Sequence, residues 1–404
     1  MRTPYLQGME STAAPRANRR ALTFIFVTIL LDIIGAGIMM PVVPYIVRPY
    51  SHDALTIGLL AVAYSVAQFF AAPLLGAVSD RHGRRPVLVI SLFGAAIGYA
   101  LFGVGGALSV FFLSRIIAGF TGGNLTAAQA YIADVSGPED RAKNFGLVGA
   151  AFGLGFILGP SIGGVLAKIS LTAPAWAAGG VALTTATFGW FVLPESLPPE
   201  RRRAHPLHLG DFNPFRLLLK ALSTKELRGL FSGIFLSRFA MMALQTNFAI
   251  YTLDRFKYTP SQNAVVFTVL GITSTFMQGF LIRRIAGRFS DRGMLLTGLA
   301  IMVVGMASIA AVPVGWMLSP AIAVLAIGSG LVNPTLQSLV SKAGTADEQG
   351  LLFGANGAIT SLCAILGPAW AGAVFDHVAY TAPYWSGALF LVAAWFAVRR
   401  AVRE

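Results

Sequence analysis

Ala71-Ala-Pro-Leu-Leu-Gly76-Ala-Val-Ser-Asp80-Arg81-His-Gly83-Arg84-Arg85-Pro86-Val-Leu-Val-Ile90 changes character twice. One apolar run ends at Val78, a short polar turn follows with an acid and three arginines, and a second apolar run opens at Pro86. Each run has about the length a helix needs to cross roughly 30 Å of hydrocarbon. The turn therefore reads as a tight loop at a membrane surface, with its basic side chains among the headgroups.

Outward from this loop the alternation continues along all 404 residues. Apolar runs fall at 21–46, 56–78, 86–105, 108–134, 143–167, 174–193, 228–253, 261–282, 294–312, 317–341, 351–374 and 380–398. They predict an all-α membrane protein with twelve transmembrane helices. Composition points the same way: 12% of residues are charged, where a soluble domain has about a quarter, and the mean hydropathy is +0.70. Many of the 44 glycines lie inside the runs, where small residues let helices approach closely in lipid.

The net charge of +13 is lopsided rather than general. Numbering the connections alternately, 24 of the 30 basic residues fall on one side, among them Arg19, Arg20, the Arg81–Arg85 loop, Arg201–Arg203, Arg399 and Arg400. The other side holds four: Arg48, Lys168, Arg255 and Lys257. This positive-inside asymmetry predicts a multi-pass protein of the cell (inner) membrane with both termini cytoplasmic, and it argues against nucleic acid as a partner. The first run is long and lacks a small-residue cleavage site, so it reads as a retained span. Cys363 is the only cysteine, which excludes an intramolecular disulfide and a cysteine-based metal cluster.

An internal repeat divides the chain. Phe145-Gly146, Gly149, Ile157-Leu158-Gly159-Pro160 and Gly164 return as Phe353-Gly354, Gly357, Ile365-Leu366-Gly367-Pro368 and Gly372, each 208 residues on. Six spans per copy start both copies on the same side, a parallel repeat. The expected organisation is a disordered cytoplasmic N-terminus at 1–20, six-helix bundles at 21–193 and 228–399 related by pseudo-symmetry, a basic linker at 194–227 and a cytoplasmic tail at 400–404. Within the linker, residues 215–222 have the pattern of a short amphipathic surface helix.

Gly76, Asp80, Arg81, Gly83, Arg84 and Arg85 together resemble the loop signature of the major facilitator superfamily. A degenerate copy, Gly287-Arg288-Phe-Ser-Asp291-Arg292, stands between the eighth and ninth runs. Gly155, Gly159, Pro160, Gly163 and Gly164 of the fifth run look like the antiporter motif of the drug:proton branch with twelve spans. Leu31-Asp32-Ile-Ile-Gly35-Ala-Gly37 and Arg115-Ile-Ile-Ala-Gly119 add to it. Residues 22–165 are most similar to the tetracycline efflux pumps. The resemblance implies a proton-coupled antiporter for multidrug efflux and antibiotic resistance. It also implies that Asp134 pairs with the Arg84 region to latch an outward-open state. The sequence departs from those pumps at Gly98, Ser274 and near Met302, where they carry an acid, a histidine and an acid.

An ionisable side chain in lipid needs a partner, water or a task. Asp32 is the only carboxylate deep inside a run, about 17 Å along the first helix at 1.5 Å per residue. It is the first candidate for proton coupling, with Arg115 and Asp134 beside it; an ion pair of Asp32 with Arg115 or Arg238 is the other reading. Met39, Tyr64, Gln68, Phe156, Arg238, Met241, Gln245, Asn333, Gln337 and Asn356 are candidates to line a substrate site. Methionines, aromatic faces and sparse amides suit an amphiphilic ligand; each is equally readable as helix packing. The sequence shows no nucleotide loop, metal cluster or Ser-His-Asp set. The expectation is a monomeric transporter, not an enzyme, with no cofactor, driven by the proton gradient, with protons, a small amphiphilic substrate and membrane lipids as partners. Uptake or metabolite and sugar transport on the same fold, a membrane-embedded enzyme and a transporter-like sensor are the alternatives.

Overall fold

The structure is a computed structural model describing residues 16–122, 124–136, 141–202, 225–285, 288–343 and 349–401. Twelve spans cross it. In the first half they are span 1 (Arg16–Met39), span 2 (Ala54–His82), span 3 (Arg84–Val104), span 4 (Leu108–Thr121, resumed at Asn124–Val135), span 5 (Arg141–Leu166) and span 6 (Ala173–Val192). In the second they are span 7 (Lys225–Phe256), span 8 (Pro260–Phe276, continued through a π-turn at Met277–Leu281), span 9 (Asp291–Ala311), span 10 (Leu318–Lys342), span 11 (Gln349–His377) and span 12 (Ala382–Ala401). Ten are long and apolar enough to cross a membrane by themselves. Span 4 falls short because it breaks at Gly122, and span 12 because Tyr384, Trp385 and its closing arginines lower its hydropathy.

Most boundaries fall within a few residues of the sequence reading, and the exceptions have local causes. Span 1 ends at Met39 rather than 46, because Pro41 and Pro44 remove backbone donors and disfavour the helical conformation before them; a separate short helix, Val43–Val47, follows. The helix is already formed at Arg16, where the described residues begin, inside the segment expected to be disordered. Span 8 starts on a capping box between Thr259 and Gln262. The linker helix expected at 215–222 lies outside the described residues, as do Gly287 of the second loop copy and the tail beyond Ala401.

The two halves match helix for helix: Ala54 with Pro260, Arg84 with Asp291, Leu108 with Leu318 and Ala173 with Ala382 open corresponding spans. Each half packs internally, span 1 against span 5 and span 3 against span 6 in the first, span 9 against spans 10 and 12 in the second. Between halves, span 2 lies along span 11 and span 5 along span 8. An even number of spans per half puts both chain ends and the Asp80–Arg84 loop on one face, here called the terminal face, with the far face opposite.

Candidate functional site

The glycines of span 5 decide how the halves meet. A Cβ on Gly159 would stand 2.7 Å from the Gly37 Cα, and one on Gly155 2.5 Å from Ile33; Gly163 abuts the carbonyl of Ile38. Three of the four motif glycines thus bring span 5 against span 1 of its own half. Only Gly164 meets the other half, against Ala264 and Ser261 of span 8. The second half repeats the arrangement. Gly367 faces Met242 of its own span 7, while a Cβ on Gly372 would lie 2.6 Å from the Leu55 Cα of span 2.

The hydrogen bonds described between the halves cluster at the far face. Arg48 pairs with Asp254 at 2.5 Å. The Tyr45 hydroxyl donates to the Tyr258 carbonyl and accepts from Asn263 Nδ2 at 2.8 Å. Ser261 Oγ donates to the Gly164 carbonyl at 2.6 Å, and Ser161 and Thr268 share a bond of 2.7 Å. The N–H groups of Ala54 and Leu55 donate to the Asp376 carboxylate at 3.0 and 2.7 Å, so an acid of span 11 caps the first turn of span 2, where a negative charge also meets the positive end of the helix.

At the terminal face, Arg84 is the hub of the first half. Its guanidinium reaches Asp80 at 2.5 Å and Asp134 at 3.0 Å, and Ser196 Oγ donates to the same Asp134 oxygen at 3.1 Å. The Arg84 and Arg85 N–H groups donate to Glu195 at 2.8 and 3.3 Å, and those of Ser196 and Leu197 join them at 3.0 and 3.1 Å. Arg85 also donates to the Trp190 carbonyl. Glu195 therefore caps span 3, and it presses so closely on Gly83 (φ 109°) that a Cβ there would run into its carboxylate. By contrast, Gly76 has open space around it and Arg81 is exposed. Sequence reasoning missed Glu195. Its signal was an acid directly after span 6 on a face otherwise dominated by basic residues. The Arg84–Asp134 pair, expected to latch the state open at the far face, is present here with that face closed and lies wholly within one half.

Between the halves lies a cavity of about 570 Å³, within the range of small-molecule sites. Met39, Tyr64, Arg115, Arg238, Met241, Gln245 and Asn333 line it, seven of the residues named from sequence. Arg238, Met241, Met242 and Gln245 form one face of span 7 by their spacing. Tyr64, Tyr99 and Arg115 line the first half's wall, and Asp32, which is not part of the lining, acts electrostatically on both tyrosines, as does Arg115. Arg115 stands 4.6 Å over the Phe102 ring, reaches Ser114 Oγ at 3.4 Å, and keeps a buried Nε without a hydrogen-bond partner.

Four candidates stand elsewhere. Gln68 donates to the Gly122 carbonyl at 2.9 Å, and so satisfies a backbone group freed where span 4 breaks. Phe156 stacks on Phe152 and its carbonyl packs against Gly271 of span 8. Gln337 lies one turn beyond Asn333, outside the cavity wall, and Asn356 has a buried amide oxygen without a partner, also away from the wall. Tyr99, Met40, Met242, Thr360 and Cys363 line the cavity without having been named; an aromatic or thioether in an apolar run carries no mark distinguishing wall from core. Gly98 is closed off by span 4, with a Cβ 2.9 Å from Ala118 and 3.2 Å from the Ser114 carbonyl. An acid at that position has no room here.

Two pseudo-symmetric six-helix bundles, joined at one face around a central cavity, define a membrane transporter. The model of the Major Facilitator Superfamily matches residues 25–368 and 230–404, and the chain belongs to that family. It is 37% identical to the tetracycline resistance protein, class C, of Escherichia coli over 89% of this chain and 90% of the relative. It is 29% identical to multidrug resistance protein 2 of Bacillus subtilis over 87% and 89%. Among solved structures it is similar to the human organic anion transporter MFSD10, at 27% identity and a TM-score of 0.72, covering 95% of this chain and all of that one.

Proposed function

We propose that this chain is a proton-coupled antiporter of the cell (inner) membrane that exports small amphiphilic, drug-like compounds by alternating access. The observation that carries the reading is the cavity: it lies between two halves bonded at the far face, Arg115, Tyr64 and Tyr99 line it, and the one deep carboxylate, Asp32, acts electrostatically on both tyrosines. The relatives' names, tetracycline resistance and multidrug resistance, support export of such compounds. In this reading Asp32 is the proton carrier, tuned by Arg115, and the cavity residues of spans 1, 2, 7 and 10 meet the substrate. Asp134 belongs to the Arg84 hub, which holds the first bundle rigid while the far face opens and closes. The bundles are residues 21–193 and 228–399. No cofactor is required, because the gradient supplies the energy.

The basic terminal face is cytoplasmic by charge asymmetry, so the arrangement described is inward-facing. Single cysteines placed in a Cys363→Ala background test this: residue 202 should react with an impermeant thiol reagent in inverted vesicles only, and labelling in intact cells would sink the topology. Dye and drug flux in inverted vesicles under an imposed pH gradient tests the transport reading. Accumulation must follow the gradient and collapse with a protonophore.

A further inference from the structure

Two guanidinium groups line the cavity, Arg115 from span 4 of the first half and Arg238 from span 7 of the second. Arg115 lies over the Phe102 ring in the company of Tyr64 and Tyr99, on which Asp32 also acts; Arg238 stands on the other half. A guanidinium in an apolar, membrane-embedded wall demands a counter-charge, and the acids described in the second half are engaged elsewhere. Asp254 holds Arg48, Asp376 caps span 2, and Asp291 pairs with Lys342 at 2.6 Å on the terminal face. Among the described residues Arg238 makes no hydrogen bond or ion pair; Gln245, Asn333, Thr360 and Cys363 are among the polar residues of the second half in the wall. Besides Arg115 on the opposite half, much of the wall is thioether and aromatic surface from Met39, Met40, Met241, Met242, Tyr64 and Tyr99.

We infer that Arg238 is the anchor of an anion subsite, so that the substrate is an amphiphilic organic anion whose carboxylate or sulfonate meets this guanidinium while its apolar body lies on the methionine-rich wall. Resting on the export reading, the inference adds to it a charge and a location. A guanidinium binds carboxylate or sulfonate through two parallel N–H groups, the amides of Gln245 and Asn333 offer further donors, and the unbranched methionines accept bodies of varied shape.

The test is a charge series of one shape, 2-naphthoate, 2-naphthamide and 2-naphthyltrimethylammonium, with binding to the purified full chain in lipid nanodiscs measured by equilibrium dialysis and by thermal shift. The wild type should bind the anion about 10- to 100-fold more tightly than the amide, and the cation most weakly. Arg238→Gln should bring the anion down to the level of the amide without changing the amide. Arg238→Lys should keep part of the preference. Equal or tighter binding of the cation, absence of anion binding in the wild type, or an anion preference that survives in Arg238→Gln overturns the subsite. The wild-type series decides the matter even where a variant does not fold. Flux of the same three compounds in proteoliposomes separates this inference from its premise. Anion binding without proton-driven flux keeps the subsite and removes the export reading, whereas proton-driven flux of the cation with no anion preference does the reverse.

Discussion

The two halves share a backbone plan and divide the chemistry. Gly159 and Gly367 each close a span onto its own half, and Gly164 and Gly372 each touch the other half, so packing obeys the repeat. The charges do not. The first half has a deep carboxylate and a hub at Arg84 bound to two acids, with Glu195 capping the same helix. Among the described residues, the corresponding loop of the second half pairs Asp291 with Lys342, whose side chain is largely exposed. Span 2 takes its cap from the opposite half through Asp376, while its counterpart, span 8, takes its cap from its own Thr259 and Gln262. Small residues are kept where geometry must repeat. Ionisable ones are kept where only one copy of a function is needed.

The largest expected effect falls on the charge that has no copy. Asp32→Asn, which fixes the neutral form, should abolish pH-driven uphill export in proteoliposomes while downhill exchange continues. Persistent accumulation against a gradient under proton drive alone would move the coupling role elsewhere. The next comparison sets the two terminal-face networks against each other. Arg84→Ala leaves Asp80 and Asp134 without their partner and should cost about 2–4 kcal/mol of stability, toward the range for breaking a mostly buried pair, because the Arg84 side chain is only 11% exposed. Lys342→Ala removes a pair whose lysine is 67% exposed and should cost less than about 1 kcal/mol. Thermal unfolding in detergent measures both, and equal losses would erase the distinction between the halves. The smallest effect concerns the caps. Losing either should cost roughly 0.5–2 kcal/mol, but only Asp376→Asn should move the equilibrium toward the state open at the far face. Thiol accessibility of cysteines placed in the cavity reads the shift, and Thr259→Ala serves as the control with the same kind of local loss and no change in accessibility.

The fold was legible because lipid imposes it: run length and the register from Gly159 to Gly367 each follow from a constraint acting on every residue of a span. The site was legible where a residue is anomalous for its setting. Asp32, Arg115 and Arg238 are charges in lipid; the two arginines line the cavity, and Asp32 acts on a tyrosine of its wall. It was illegible where function falls on ordinary residues. Tyr99 and Met242 look like packing, and Gln68 looks like a ligand contact but braces the backbone of span 4. Glu195 lay beyond the motif it completes, since nothing local ties residue 195 to Arg84.

Asp376 gives the cycle a timekeeper. The amides of Ala54 and Leu55 take their acceptor from the opposite half at the far face, so each opening should strip the start of span 2 and each closing rebuild it. Those two hydrogens should exchange with deuterated solvent at a pace set by how often the carrier opens, faster when a substrate speeds the cycle and slower when an inhibitor arrests it shut. A helix end borrowed from the opposite bundle thus turns a large rearrangement into a signal readable at two backbone positions, with no label attached.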